Sequence, residues 1–351
     1  MSFNYSATSY TEITEIRKSR VVIYDEFQDF ASLDKYLSIT IGRWNRDYPL
    51  PSLPSSIIVL LFMGEYKFPL NNLPSSIEVL SFTREYDYPL DNLPINLYQL
   101  EFLNYDSEPI YKHPIHFIPE SVKILNLNNA INQSSYNLPI KLKKLDFSNN
   151  TFKDKIVIYP PELENLYLIN DSSSTSHQED LEKLEKLEQY FNLINLPLSI
   201  RVMCLPDLNI SNLEIILKRL INLESLFIPE GFNNPILEYP PNLVELHFMG
   251  YYKYKLVNLP VSLKYILIGW YDNSLSLEAV ANSNIEHIDL DENRHLSIIN
   301  YLPKSLKKIT IIETHTEFNT IKQQYPHLEI NKIPDYDYHD AMIDDMRDES
   351  W

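Results

Sequence analysis

The chain has 351 residues and a formal net charge of −18, from 30 Lys and Arg against 48 Asp and Glu. That balance argues against a nucleic-acid binder, which needs basic patches to displace counterions from phosphates, and against an anionic membrane surface. An apolar share of 44 % fits a folded chain; one cysteine, Cys204, rules out an internal disulfide, and five scattered glycines leave no phosphate-cradling loop.

The first twenty residues hold no apolar core of signal-peptide length. The longest apolar run, "IIVLLFM" from Ile57 to Met63, is too short to cross a bilayer. These features point to a soluble cytoplasmic protein without a cofactor motif. Residues 1 to 47 include "RVVIYDEF" and "YLSITIGRW", which read as strands capping the open apolar end of a stack of repeats.

From residue 48 one phrase recurs: Leu-Pro-x-x-Leu-x-x-Leu-x-Phe, with Ile or Val often in place of Leu. Copies begin at Leu53, Leu73, Leu93, Ile118, Leu138, Tyr159, Leu196, Tyr239, Leu259 and Leu302. Degenerate copies lie near Arg219 and Ala281, and a partial one begins at Tyr325. Distant copies agree closely. "FMGEYKFPLNNLP" (Phe62 to Pro74) and "FMGYYKYKLVNLP" (Phe248 to Pro260) match at nine of thirteen positions.

The chemistry of one unit predicts a short strand. Pro74 cannot donate to a ladder and belongs before a strand. Leu80 and Phe82, two apart, face one side, and Ser81 faces the other. The stretch after them, with Tyr88 and Leu90 as further anchors, returns the chain. One such unit buries too little to stand alone, so units must stack and their strands pair in parallel.

The Leu-x-x-Leu-x-Leu core and the period match leucine-rich repeats. Asn150 in "LKKLDFSNNTF" and Asn293 in "IEHIDLDEN" stand where that pattern has its bridging Asn. The predicted fold is a leucine-rich-repeat-like α/β solenoid, a curved parallel sheet of about 12 stacked units with irregular returns. A parallel β-helix is the alternative.

The phrase at Leu53-Pro54-Ser55-Ser56-Ile57, repeated at Leu73 to Ile77, Leu259 to Leu263 and Leu302 to Leu306, resembles the FNIP repeat. That leucine-rich-repeat relative, of about 22 residues, is familiar from social amoebae and giant viruses of amoebae. Its signature stands in full at Phe232-Asn233-Asn234-Pro235-Ile236 and eroded at Tyr48-Pro49-Leu50, Phe68-Pro69-Leu70 and Tyr88-Pro89-Leu90. The resemblance covers roughly residues 48 to 330 and carries no catalytic residues. It implies a binding scaffold. An alternative it implies is a substrate-recognition adaptor of a ubiquitin ligase, docking through residues 1 to 47, where no clear F-box is seen.

The widest gap between copies holds an insertion, residues 171 to 195. Within it Asp180 to Asn192 reads as a helix with Leu181, Leu184, Leu187 and Phe191 on one face. A second helix is expected over Ile210 to Leu220. The solenoid is expected to end at 333. Residues Pro334 to Trp351 carry seven acidic side chains and one Arg and read as a disordered tail.

Candidate chemistry is sparse. "HPIH" (His113, His116) lacks further ligands for a metal. His287, Asp289 and Asp291 alternate along one strand with His295 just beyond, which is the nearest approach to an acid/base or cation site. Cys204 has no identified base partner.

The residue between the last two core positions of each unit should face away from the core. This ladder reads Leu61, Ser81, Glu101, Asn126, Asp146, Tyr167, Cys204, Phe227, His247, Leu267, Asp289 and Thr310. Tyr167, Phe227, His247, Met249, Tyr265 and Leu267 form its apolar and aromatic centre, with Glu101, Asp146 and Asp289 around it. An apolar centre inside a polar rim is the layout of a protein-binding site on the concave face. Three readings are open: a non-enzymatic scaffold for an unknown protein partner, the ubiquitin-ligase adaptor, and a hydrolase on a β-helix.

Overall fold

In the computed structural model, the described residues are 20–24, 30–42, 44, 46–103, 110–127, 130, 133, 138–146, 158–168, 193–206, 210, 212–229, 232, 234–250, 252–269, 278–290, 298–312 and 318–333. The expected helix over Asp180 to Asn192, the acidic tail, and Asn150, Asp291, Asn293 and His295 lie outside them.

The chain divides into two compact units. The first is residues 1–166 with 189–197, and the second is residues 167–188 with 198–351. The first holds parallel strands β1 (Arg20–Ile23), β2 (Ser38–Ile41), β3 (Val59–Phe62), β4 (Val79–Phe82), β5 (Gln99–Phe102), β6 (Ile124–Asn126) and β7 (Lys144–Asp146). The short β8 (Asn165–Tyr167) falls at the division. The second holds β9 (Val202–Cys204), β10 (Ser225–Ile228), β11 (Glu245–Phe248), β12 (Tyr265–Ile268), β13 (His287–Leu290), β14 (Lys308–Ile312) and β15 (Glu329–Ile333), again parallel. In each unit the strands neighbour one another in chain order.

Each unit is thus a leucine-rich-repeat-like solenoid of short parallel strands. Among the described residues the strands number fifteen. Residues 20–41 add β1 and β2 in register with β3, and the partial copy at Tyr325 supplies β15. Among the described residues the helices are short: α1 (Leu213–Arg219), α2 (Glu278–Ala281) and α3 (Phe318–Gln324). The first lies inside the span expected from "ISNLEIILKRL".

The phrase explains the register. Pro at its second position opens a tight turn, and its carbonyl accepts the amide three residues on, as in Ile57 to Pro54 (3.2 Å) and Ile77 to Pro74 (3.1 Å). The strand after the turn is held by its neighbours' backbone. Glu78 and Val79 donate to the Ile58 carbonyl at 2.8 and 3.1 Å, and Tyr98 and Gln99 donate to Glu78. The fourth position, Ser or Asn, adds a side-chain link to the coil before. Asn reaches the carbonyl at the turn apex, as in Asn96 to Ser75 (2.9 Å) and Asn242 to Ile221 (2.8 Å). Ser reaches the carbonyl two residues further, as in Ser76 to Ile57, Ser121 to Leu97, Ser262 to Leu243 and Ser305 to Ile285, all at 2.7 Å.

A second device locks the returns of the first unit. Phe62, Phe82 and Phe102 stack at 5.1 and 5.4 Å between centroids, nearly parallel. Beside them Tyr66, Tyr86 and Tyr111 stack at 6.4 Å. Each phenol oxygen accepts the amide that follows a proline one coil earlier: Leu50 to Tyr66 (2.9 Å), Leu70 to Tyr86 (2.9 Å) and Leu90 to Tyr111 (3.0 Å). In the second unit Ile236 donates to Tyr252 in the same way at 2.8 Å. This gives the eroded Pro-Leu signature its physical meaning. A buried return has backbone amides with no strand to satisfy them, and each would cost free energy if orphaned. Burial pushes these phenols well above the usual tyrosine range, so they stay neutral and keep both roles. Tyr86 also donates to the Phe68 carbonyl at 3.3 Å.

The Tyr86→Phe variant keeps the ring stack but orphans the Leu70 amide, so it should lower unfolding stability by roughly 1–3 kcal/mol in urea titrations. Tyr88→Phe, at a half-buried ring in the same return, should change it by less than about 0.5 kcal/mol.

Candidate functional site

The strand pairing of the second unit sets two rows side by side on one sheet face. One row runs Val202, Ser225, Glu245, Tyr265, His287, Lys308, Glu329. The other runs Cys204, Phe227, His247, Leu267, Asp289, Thr310, Asn331. Residues two apart on a strand share a face and adjacent strands lie about 4.8 Å apart, so these side chains form a close grid. The core-facing residues between them, such as Leu246, Ile266 and Ile288, are fully buried.

Rings run across four strands of this grid. Phe227 stacks on His247 at 4.1 Å, His247 meets Tyr265 at 4.9 Å, and Tyr265 meets His287 edge-on at 4.9 Å. Two carboxylates flank the rings. Ser225 Oγ donates to Glu245 Oε2 at 2.8 Å, and His247 Nε2 lies 3.6 Å from the same oxygen. Tyr265 donates its hydroxyl proton to Asp289 Oδ2 at 2.6 Å. His287 Nε2 lies 2.6 Å from Asp289 Oδ1 and 3.1 Å from Thr310 Oγ1.

Burial pushes both carboxyls up, yet their partners outweigh it. The His247 imidazole and the Ser225 hydroxyl hold Glu245 below its ordinary value. His287, Thr310 and Tyr265 do the same for Asp289. Both are therefore ionised at neutral pH. The two ring nitrogens of His247 and Nδ1 of His287 are buried and make no hydrogen bond.

This is not the geometry of a nucleophile relay. A relay needs the hydroxyl on one ring nitrogen and the carboxylate on the other. At His287 the hydroxyl of Thr310 and the carboxylate of Asp289 crowd the same nitrogen, Nε2, while Nδ1 makes no hydrogen bond.

Of the six residues singled out from sequence, five sit together on consecutive strands or just past them. Phe227, Met249 and Tyr265 are half-buried. His247 and Leu267 are almost closed, with 8 % and 2 % exposure. Tyr167 is half-buried at the end of β8. The ladder as a whole is less open than an outward-facing row suggests, because short side chains sink between taller neighbours on both flanks. Ser81 is 1 % exposed and Cys204 fully closed. At the end of β12, Gly269 avoids a collision, since a Cβ there would lie 2.5 Å from the Phe248 carbonyl. Ser225, Glu245, His287 and Thr310 complete the network. Counting along the sequence places Thr310 on the outward ladder and His287 beside Asp289, but it does not reach Ser225 and Glu245, because a neighbour twenty residues away is visible only once register is known.

In the first unit the corresponding row is Leu61, Ser81, Glu101, Asn126, Asp146. Asn126 Nδ2 donates to Asp146 Oδ2 at 3.3 Å. Glu101 is 2 % exposed, and its Oε2, like Ser81 Oγ, has no hydrogen-bond partner. Burial pushes its carboxyl up to about 7, against the pull of Lys144 and Gln99. Elsewhere, His113 of the "HPIH" pair lies 2.9 Å from Asp87 of the previous coil. Among the described residues no group of three or more His, Cys, Asp or Glu could hold a metal, and no helix is long and apolar enough to cross a membrane.

No family model matches the chain, and no curated protein matches it. Among solved structures it is similar to the crystal structure of CroV588, described as a novel circular LRR protein, with a TM-score of 0.50 at 18 % identity. The match covers 87 % of this chain and 54 % of that one, so the chain spans about half the length of this neighbour. The likeness shows a leucine-rich-repeat fold.

A carboxyl raised in the folded state is protonated there while still ionised in the unfolded chain, so stability falls as pH climbs from 4.5 toward 7. Glu101→Gln should therefore stabilise the protein by roughly 1–3 kcal/mol at pH 8 and change little at pH 4, in urea melts at the two values.

Proposed function

We propose that the protein is a non-enzymatic FNIP-type repeat scaffold that binds another protein through the strand face carrying Phe227, His247, Met249, Tyr265 and Leu267. One observation carries this reading: the ring run from Phe227 to His287 crosses four consecutive strands on the face opposite the core. The fold does not ask for rings there. The equivalent row of the first unit carries Leu61, Ser81, Glu101, Asn126 and Asp146 and pairs in the same register. Half-buried aromatic side chains in a cluster are the residues that carry most of the energy in protein interfaces. The crowded nitrogen of His287 favours recognition over hydrolysis.

Replacing Phe227 and Tyr265 together by Ala should leave the circular dichroism spectrum unchanged and remove the partner in affinity purification with mass spectrometry. Leu267 is left intact because a charge there would be buried and unpaired. A partner list identical to that of the parent protein overturns the proposal.

A further inference from the structure

From the ring run and its two carboxylates we infer that this face is a receptor for a cationic side chain, and that the partner inserts an arginine over Tyr265 between Glu245 and Asp289. The inference rests on the interaction reading above and specifies what is recognised.

Register places the three groups. Tyr265 on β12 pairs with Glu245 on β11 and with His287 on β13, and Asp289 lies two residues beyond His287 on the same face. The carboxylates therefore stand on strands either side of the tyrosine, about 10 Å apart along the stack at about 4.8 Å per step. A guanidinium over Tyr265 lies between the two charges.

Three observations select a cation. First, both carboxyls are held ionised, and their contacts are hydroxyls and imidazoles. Among the described residues neither forms an ion pair with Lys or Arg. Lys308, the nearest basic residue in the grid, pairs outward with Glu329 at 3.7 Å. Second, ring faces attract cations through their quadrupole. Tyr265 donates to Asp289 in a short hydrogen bond, and a donating hydroxyl makes its ring face more negative. Third, His287 is 8 % exposed, and with its Nε2 against the Asp289 carboxylate its buried Nδ1 makes no hydrogen bond, which leaves an acceptor on this face for an N–H donor.

The face is reachable. The side chains of Glu245 and Asp289 keep 19 % and 14 % of their surface, and Phe227 and Tyr265 are half-buried. Arginine suits it better than lysine, because a planar guanidinium stacks on rings while its edge donors address carboxylates at either end. The chain's net charge of −18 steers a basic segment toward it over longer range.

The test pans a displayed random-peptide library against the purified full-length protein and measures enriched peptides by fluorescence anisotropy. The enriched sequences should share an arginine, and replacing that arginine by neutral citrulline should weaken binding roughly tenfold. Glu245→Gln and Asp289→Asn should each weaken it several-fold. Phe227→Leu, which keeps bulk and fold but removes a ring, should weaken it too, so the test survives if a carboxylate variant fails to fold. Peptides that lose affinity in the Phe227→Ala, Tyr265→Ala protein yet tolerate citrulline overturn the cation receptor and leave the interaction face standing. No enrichment, or binding indifferent to the face variants, overturns both.

Discussion

Everything in this fold depends on one constraint: beyond its entry turn, the backbone of each coil is satisfied by its neighbour rather than by itself. A four-residue strand has no internal hydrogen bonds, and an irregular return has almost none. Buried amides and carbonyls must still find partners. The parallel ladder supplies them for the strands. Ser or Asn at the fourth position of the phrase supplies them at the entry turns, and the tyrosine hydroxyls supply them in the returns. Because these links point to an adjacent coil, a single unit cannot satisfy its own backbone and the units must stack.

That constraint also distributes freedom. Positions that serve the next coil are written again and again: the proline of the turn, the Ser or Asn link, the Leu and Phe of the core. The face away from the core serves no coil in this way, so its composition differs along the chain. In the first unit it carries a buried Glu101, one oxygen unpartnered, beside Ser81. In the second it carries rings, histidines and two ionised carboxylates in one connected network. A common scaffold therefore presents two chemically different strand faces.

The repeat made the strands legible with little ambiguity. The positions from Leu61 to Thr310 counted from sequence fall at the matching place in every strand from β3 to β14. Two strands in residues 20–41 were visible only as apolar runs, since their spacing departs from the phrase. The tyrosine links were invisible, because Tyr66 and Leu50 belong to different copies and nothing in either copy marks the bond. Site membership split the same way. Phe227, His247, Tyr265 and Thr310 could be named by counting, whereas Ser225 and Glu245 joined them only through register.

By itself, then, the amino-acid sequence determined the coil: its period, its turn, its inward side chains and the parallel order of its strands. These rest on local rules, a proline that cannot donate and apolar letters two apart. Only the tertiary structure decided how deep each outward side chain sits and which groups meet. Exposure depends on the height of neighbours twenty residues away in both directions, and a pKa depends on what those neighbours donate. Hence Ser81, Cys204 and Leu267 are closed although their position faces outward, and Glu101 and Asp289, equivalent letters in the phrase, have carboxyls shifted in opposite directions.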